Sequence, residues 1–284
     1  MPPPRRLIVN ADDFALTTGV NRAVGELSQA QALRSTTLMA AGSAFADAVQ
    51  TARAHPGLGV GCHVVLVDGV CVAPPDMVPA LRLDELKLRD SLPAFLLDLQ
   101  RGKIPEKQIE LEAVAQIRKL QEAGVTVTHV DSHKHTHLFP RVARPLMRAA
   151  IQCGVSAIRN PFEQAWSAGL TRGPLLRKLE VAGLRNFSTT FRKLLRASGL
   201  KTTEGSVGVS ATGSLDAANL RRLLDGMPEG TWELVCHPGY NDRELDQVRT
   251  RLRSTRDVER NALLEQIPAA VRAGKFELIS FRDL

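Results

Sequence analysis

The sequence predicts an α/β chain built on a mostly parallel sheet, either closed as a (β/α) barrel or doubly wound. Short β-branched runs alternate with helical patterns roughly eight times, the arrangement that builds a parallel sheet covered by helices. Residues of metal-ligand type gather where those runs end, and active sites of parallel barrels sit at the carboxyl ends of the strands. A chain of 284 residues is long for an ordinary domain but suits one such barrel. A dinucleotide-binding sheet fits less well. The first strand leads into Asn10-Ala11-Asp12-Asp13-Phe14 with no GxGxxG, and two carboxylates there would repel a pyrophosphate.

The elements follow in order. Arg6 to Ala11 reads as a buried strand, and a helix runs from Thr17 or Thr18 to about Ala30, with Val20, Ala23, Val24 and Leu27 at helical spacing. Leu33 to Ala40 is a strand. Ser43 is placed to cap a helix that Pro56-Gly57 ends, and Val60 to Val67 is the next strand. A Pro-containing stretch leads into a surface excursion over 73–105, either a candidate lid or a plain surface loop. Pro105 to Ala123 is a long helix stopped by Gly124, and the strand Val125 to His133 follows at once. Later strands are predicted at SAIRN, SVGVSA, TWELVCHP and FELISF, with helices over Arg141 to Cys153, Leu215 to Met227 and Thr255 to Ala273. Over 1–284 the length favours one large domain or two small ones, and no internal repeat or low-complexity segment divides the chain.

Composition is that of a folded globular chain, 44% apolar and 24% charged, which excludes disordered, collagenous and coiled-coil classes. With no apolar run long enough to span a bilayer and no signal-peptide hydrophobic region, the expected location is the cytoplasm. The cysteines Cys62, Cys71, Cys153 and Cys236 form no CxxC pair and are expected to be reduced core residues. A net charge of +7 raises the question of an anionic partner. Nucleic acid is disfavoured, because Trp, Tyr and Phe total only 12 and no recognition module is present.

Asp12 and Asp13 close the first strand, His63 lies in the third, His129, Asp131, His133, His135 and His137 span the fourth, and His237 closes a late one. In an extended backbone positions 129 to 137 at period 2 project to one face, giving a His-Asp-His-His-His edge. A single buried histidine such as His63 is most often a hydrogen-bonded core residue, and His55 before Pro56 is simply a helix end. Paired carboxylates after an apolar strand are costly unless a cation or hydrogen bonds receive them. A four-histidine run continuing a buried strand points to metal or catalysis.

NADDF (10–14), GxHxxL (61–66), HxDSHxHxH (129–137) and CHP (236–238), with a terminal SFRDL, resemble the YdjC-like carbohydrate deacetylase family over nearly the whole chain. The resemblance implies a deformed β/α barrel and divalent-metal-dependent hydrolysis of the N-acetyl group on an amino sugar. It also implies Asp13, His63 and His133 as metal ligands and Asp12 as the catalytic base. The HKHxH form of the histidine run is similar to the branch associated with hopanoid biosynthesis, whose substrate is an N-acetylglucosaminyl lipid. Three positions depart from the family pattern. Ala15 replaces the glycine usual after NADDF and would be strained at positive φ; Cys62 stands where a hydrophobic residue is usual; Lys134 replaces a common histidine, so position 134 is no essential ligand.

Amide hydrolysis needs a nucleophile, a place for the oxyanion and a proton for the departing amine. His237, at another strand end, is assigned that proton, since an imidazole suits the task. Asp131, His135 and His137, on the same edge as His133, are expected to contact substrate. Asp12 and Asp13 can share one site only if the strand ends and the backbone turns between them. The O/N/N ligand set suits zinc, manganese or cobalt better than magnesium. Two other classes compete: a metal-dependent phosphoesterase, which would release phosphate, and a non-catalytic sugar-binding protein, against which the retention of Asp12 speaks. Monomer and homodimer are both left open.

The positive charge is regional. Over 172–201, eight cations (Arg172, Arg177, Lys178, Arg185, Arg192, Lys193, Arg196 and Lys201) face one acid, Glu180, with leucines and phenylalanines interleaved at helical spacing. One reading is a core-facing stripe with a solvated outer face. The other is peripheral contact with an anionic inner membrane that would bring the site to a lipid-linked sugar.

Overall fold

In the computed structural model, which describes residues 5–171 and 183–284, the strands are β1 (Arg5–Phe14), β2 (Ser35–Leu38), β3 (Gly59–Val64), β4 (Val127–Ser132), β5 (Gly205–Val207), β6 (Gly230–Cys236) and β7 (Glu277–Ile279). They form one sheet in the order β4-β3-β2-β1-β6-β5, every pair parallel, with β7 also on β1. β1 is the axis of the sheet because it is apolar on both faces: Leu7, Ile8, Val9, Ala11 and Phe14 are all buried. Its first half pairs with β7 and its second half with β2.

SAIRN makes only isolated bridges, Val130 to Ile158 and Ala157 to Lys201, and Glu163 bridges Ser206 of β5. The segment therefore joins the two open edges of the sheet without being a regular strand, which corrects the expectation of an eighth. Pro161 has no N–H to give to a ladder, and Asn160 turns its side chain onto the carbonyls of Thr203 and Glu204. The result is a curled, incompletely closed parallel barrel with its hydrophobic core between the sheet and the outer helices.

The helices lie close to expectation. Thr17 caps Thr18–Gln29 by accepting from the N–H of Val20. Ser43 does not cap the next helix, Phe45–Ala54; its hydroxyl donates to the carbonyl of Leu16 and so braces the turn after β1. Gly124, at φ +82, ends Glu106–Glu122 in the left-handed conformation that glycine adopts freely. The four cysteines are buried and free.

The excursion over 73–105 contains a helix, Leu92–Gln100, and is gripped from beneath by Glu106–Glu122. Glu112 accepts the N–H groups of Val72 (2.8 Å) and Ala73 (3.1 Å), and Gln116 both accepts from and donates to the backbone of Val65. Of the basic segment, Arg172, Arg177 and Lys178 lie outside the described residues. The helix Ser188–Ser198 turns Phe191, Leu194 and Leu195 to the core and leaves Arg192, Lys193 and Arg196 exposed.

Candidate active site

Parallel strands bring the carboxyl ends of β1, β3, β4 and β6 to one rim, and the chemistry-bearing residues converge there. Near the end of β1 Asp13 sits at φ +63, a left-handed conformation that an aspartate tolerates better than most residues. The turn displaces β1 from register with β2 between Ala11 and Phe14. It also lets Asp12 and Asp13 reach one cleft although strand neighbours otherwise point apart. Ala15 sits at φ +81, the strained alternative, held by its N–H to Asn21 (2.8 Å) and by the N–H of Ala44 on its carbonyl (3.0 Å).

Oδ1 of Asp13 lies 3.3 Å from Nδ1 of His133 and 3.6 Å from Nε2 of His63, and the ligand atoms of these three residues all fall within 4.8 Å of one another. Two of the three donors are oriented from behind. Arg256 Nη2 donates to the other Asp13 oxygen at 2.6 Å, and His63 Nδ1 is hydrogen-bonded to Asp131 at 2.7 Å, leaving Nε2 toward the triad. Such supporting partners are what metal-ligating groups ordinarily carry. The residues present therefore fit a divalent cation, by donor type and by support. A second grouping, Asp12, His63 and Asp131, is fully buried, but the Arg159 guanidinium already neutralises both of its carboxylates.

Arg159, fully buried, holds Asp12 through two hydrogen bonds (2.6 and 2.8 Å), pairs with Asp131 and donates to Glu233 at 2.7 Å. Burial alone would raise the Asp12 carboxyl, but Arg159, His63 and His237 together hold it far below the usual carboxylate range. Asp13 is likewise buried and held low by Arg256 and His133. Burial works against a charged His63, yet the Asp131 carboxylate, with Asp12 and Asp13, lifts it to about 9. Glu233 is pushed up to about 8 by burial, which the attraction of Arg159 only partly offsets.

His237 follows β6, with Nε2 3.8 Å from Oδ2 of Asp12. These groups open into a cleft of about 580 Å³. Its walls include Asp90, Ser91 and Leu92 from the excursion, His135, and the segment from Val248 to Leu252.

The expected five-residue edge does not form. β4 stops at Ser132, and His133–Leu138 is a tight 3-10 turn with Lys134 and His135 at positive φ. Ser132 Oγ causes the reversal, accepting the N–H of His137 (3.0 Å) and the hydroxyl of Thr136 (2.9 Å). His137 is consequently buried against Ser132, with its pKa lowered by burial and by His135, and it is shut away from substrate. Asp131 is also fully buried and orients His63 instead of meeting substrate. His135 alone of the three lies on the cleft wall. His129 stacks on Phe281 at 3.8 Å, inside the barrel. Arg159, Arg256 and Glu233 were not anticipated. An arginine within the apolar run SAIRN was the one local signal available.

Fold and site together define a parallel α/β-barrel protein with a histidine–carboxylate centre at the strand ends. The chain belongs to the YdjC-like protein family, which matches residues 6–271. It is 35% identical over 281 residues to a carbohydrate deacetylase of Brevibacillus brevis, covering 98% of this chain and 99% of that one. A carbohydrate deacetylase of Thermoanaerobacter pseudethanolicus is 30% identical over 260 residues, 92% and 91% of the two chains. A chitooligosaccharide deacetylase of Escherichia fergusonii is 29% identical over 247 residues, 86% and 85%. The same fold occurs in an Enterococcus faecalis crystal structure provisionally assigned to cellobiose-phosphate cleavage, with a TM-score of 0.78 at 20% identity over 99% of this chain and 98% of that one.

Proposed function

We propose that the chain is a divalent-metal-dependent deacetylase that removes the N-acetyl group from an amino sugar. The observation that carries this reading is the convergence of Asp13, His63 and His133 beside Asp12 and His237 in one cleft, in a family whose relatives are named carbohydrate deacetylases. Asp13, His63 and His133 would hold the cation, which when bound polarises the acetyl carbonyl and acidifies water.

This chain's own residues supply the rest. Asp12, kept ionised by Arg159, accepts a proton as the water oxygen bonds to the carbonyl carbon. His237 then protonates the nitrogen as the C–N bond breaks with its electron pair on nitrogen, releasing acetate and the free amine. Base and acid face each other across 3.8 Å. His135, on the cleft wall, would contact the sugar.

The finer reading is an N-acetylglucosaminyl substrate linked to a hopanoid-type lipid. Beside the cleft, and sharing Leu92, Lys134 and His135 with it, is a second cavity of about 420 Å³ whose walls include Leu96, Leu138, Phe139 and Phe162. A hydrocarbon group would fill the apolar side of this space, and it brings more apolar surface than the N-acetyl methyls and ring faces of a chitooligosaccharide. The exposed cations of Ser188–Ser198 support peripheral contact with an anionic membrane.

The test is acetate release from an N-acetylglucosaminyl lipid and from short chitooligosaccharides, with and without chelator. The expected result is chelator-sensitive acetate release, faster from the lipid. Phosphate release from phosphorylated sugars without acetate release would overturn the reading in favour of a phosphoesterase, and binding without turnover would favour a sugar-binding protein.

A further inference from the structure

We infer that Glu259 is a positioning residue for His237, setting the direction from which the imidazole meets the leaving nitrogen. This rests on the reading of His237 as the acid. Glu259 is 1% exposed, in the helix Ser254–Arg272. One carboxylate oxygen accepts the backbone N–H of His237 at 2.6 Å, and the other accepts the N–H of Gly213 at 3.4 Å.

Burying a carboxylate is costly unless its oxygens are matched, and the groups matched here belong to two loops of the site. Thr212, beside Gly213, lines the same cleft as His237. The ring of His237 has no brace of its own on one side, because its buried Nδ1 lacks a hydrogen-bond partner among the described residues. Its orientation therefore depends on where its main chain is held, and Glu259 holds it. Arg256, one turn earlier on the same helix, anchors Asp13. One rigid element thus sets a candidate ligand and the candidate acid in register with each other.

The experiment compares Glu259→Ala, Glu259→Gln and His237→Ala in the metal-loaded full chain, on an N-acetylglucosaminyl substrate turned over by the wild type and on 4-nitrophenyl acetate, whose leaving group needs no proton. Glu259→Ala is expected to lower kcat on the amide roughly 10- to 100-fold, with KM, metal content and ester turnover near wild type. Glu259→Gln, which keeps a carbonyl oxygen for the His237 N–H, is expected to recover most of that loss. Equal losses on amide and ester, or loss of metal, would make Glu259 merely structural and overturn the inference. If Glu259→Ala does not fold, a Glu259→Gln enzyme that loses amide and ester activity alike does the same. Should His237→Ala itself spare neither substrate, the assignment of the acid fails; should it spare the ester while Glu259→Ala leaves the amide rate unchanged, only the present inference fails.

Discussion

Asp12 and Asp13 are neighbours with different partners: Asp12 is clamped by Arg159, whereas Asp13 gives one oxygen to Arg256 and turns the other toward His63 and His133. Asp13→Ala, His63→Ala and His133→Ala should each lower metal occupancy, while Asp12→Asn should keep the metal and lose turnover by a factor on the order of 10² or more. Metal analysis of the purified variants beside acetate-release kinetics checks this, and an Asp12→Asn protein with near-wild-type kcat would remove that residue from the mechanism. Glu233 makes a prediction about pH. Its folded pKa, about 8, lies above the ordinary carboxyl value, so the folded chain binds more protons than the unfolded one between the two. Its contribution to stability is present in full below the ordinary carboxyl pKa and is lost as pH rises through about 8. Glu233→Gln should therefore gain thermal stability relative to wild type with rising pH, measured on the metal-free chain at pH 5 and pH 8.5. A difference independent of pH would contradict this.

At the scale of elements, the helix Glu106–Glu122 presents Glu112 and Gln116, one turn apart, to the start of the excursion. Four backbone hydrogen bonds to these two side chains, at Val65, Val72 and Ala73, make the candidate lid an anchored cleft wall at its entrance. Glu112→Ala would strand two N–H groups and should cost about 1–3 kcal/mol of protection there. Hydrogen exchange at Val72 and Ala73 reads it directly; unchanged protection would mean that the excursion is held elsewhere. The turn after β1 is equally exacting. A Cβ on Gly42 would fall 2.3 Å from the carbonyl oxygen of Ala15, the residue already at φ +81. Gly42→Ala should therefore destabilise by about 1–3 kcal/mol, visible as a lower midpoint of thermal unfolding.

For the whole molecule, parallel topology places the strand-end groups of β1, β3, β4 and β6 on one rim, so the cleft opens at that end of the sheet. Among the described residues no helix is long and apolar enough to cross a membrane. In Ser188–Ser198 Phe191, Leu194 and Leu195 are spent on the core, and the charged groups left exposed to an outside partner are all cations. Any attraction through this helix is then electrostatic, roughly 1 kcal/mol per cation before screening. The chain should co-sediment with anionic vesicles and not with neutral ones, and added salt or Arg192→Glu with Arg196→Glu should release it. Sedimentation that ignores lipid charge, salt and both substitutions would leave these cations as a solvated face.

Element order, the parallel sheet and the identity of the polar residues at the strand ends could be read from the chain alone, because hydrophobic period and turn residues act over a few positions. Short-range pattern failed where a local hydrogen bond competed with it: Ser132 curled the histidine run out of the strand, burying His137 off the cleft wall that His133 lines. It failed again at SAIRN, where a proline broke the ladder. Charge compensation was beyond its reach. Arg159 meets Asp12 across 147 positions and Arg256 meets Asp13 across 243. A buried carboxylate must find its cation somewhere, but nothing in the residues beside it says which arginine the folded sheet will bring, so the electrostatics of the site were decided by tertiary packing.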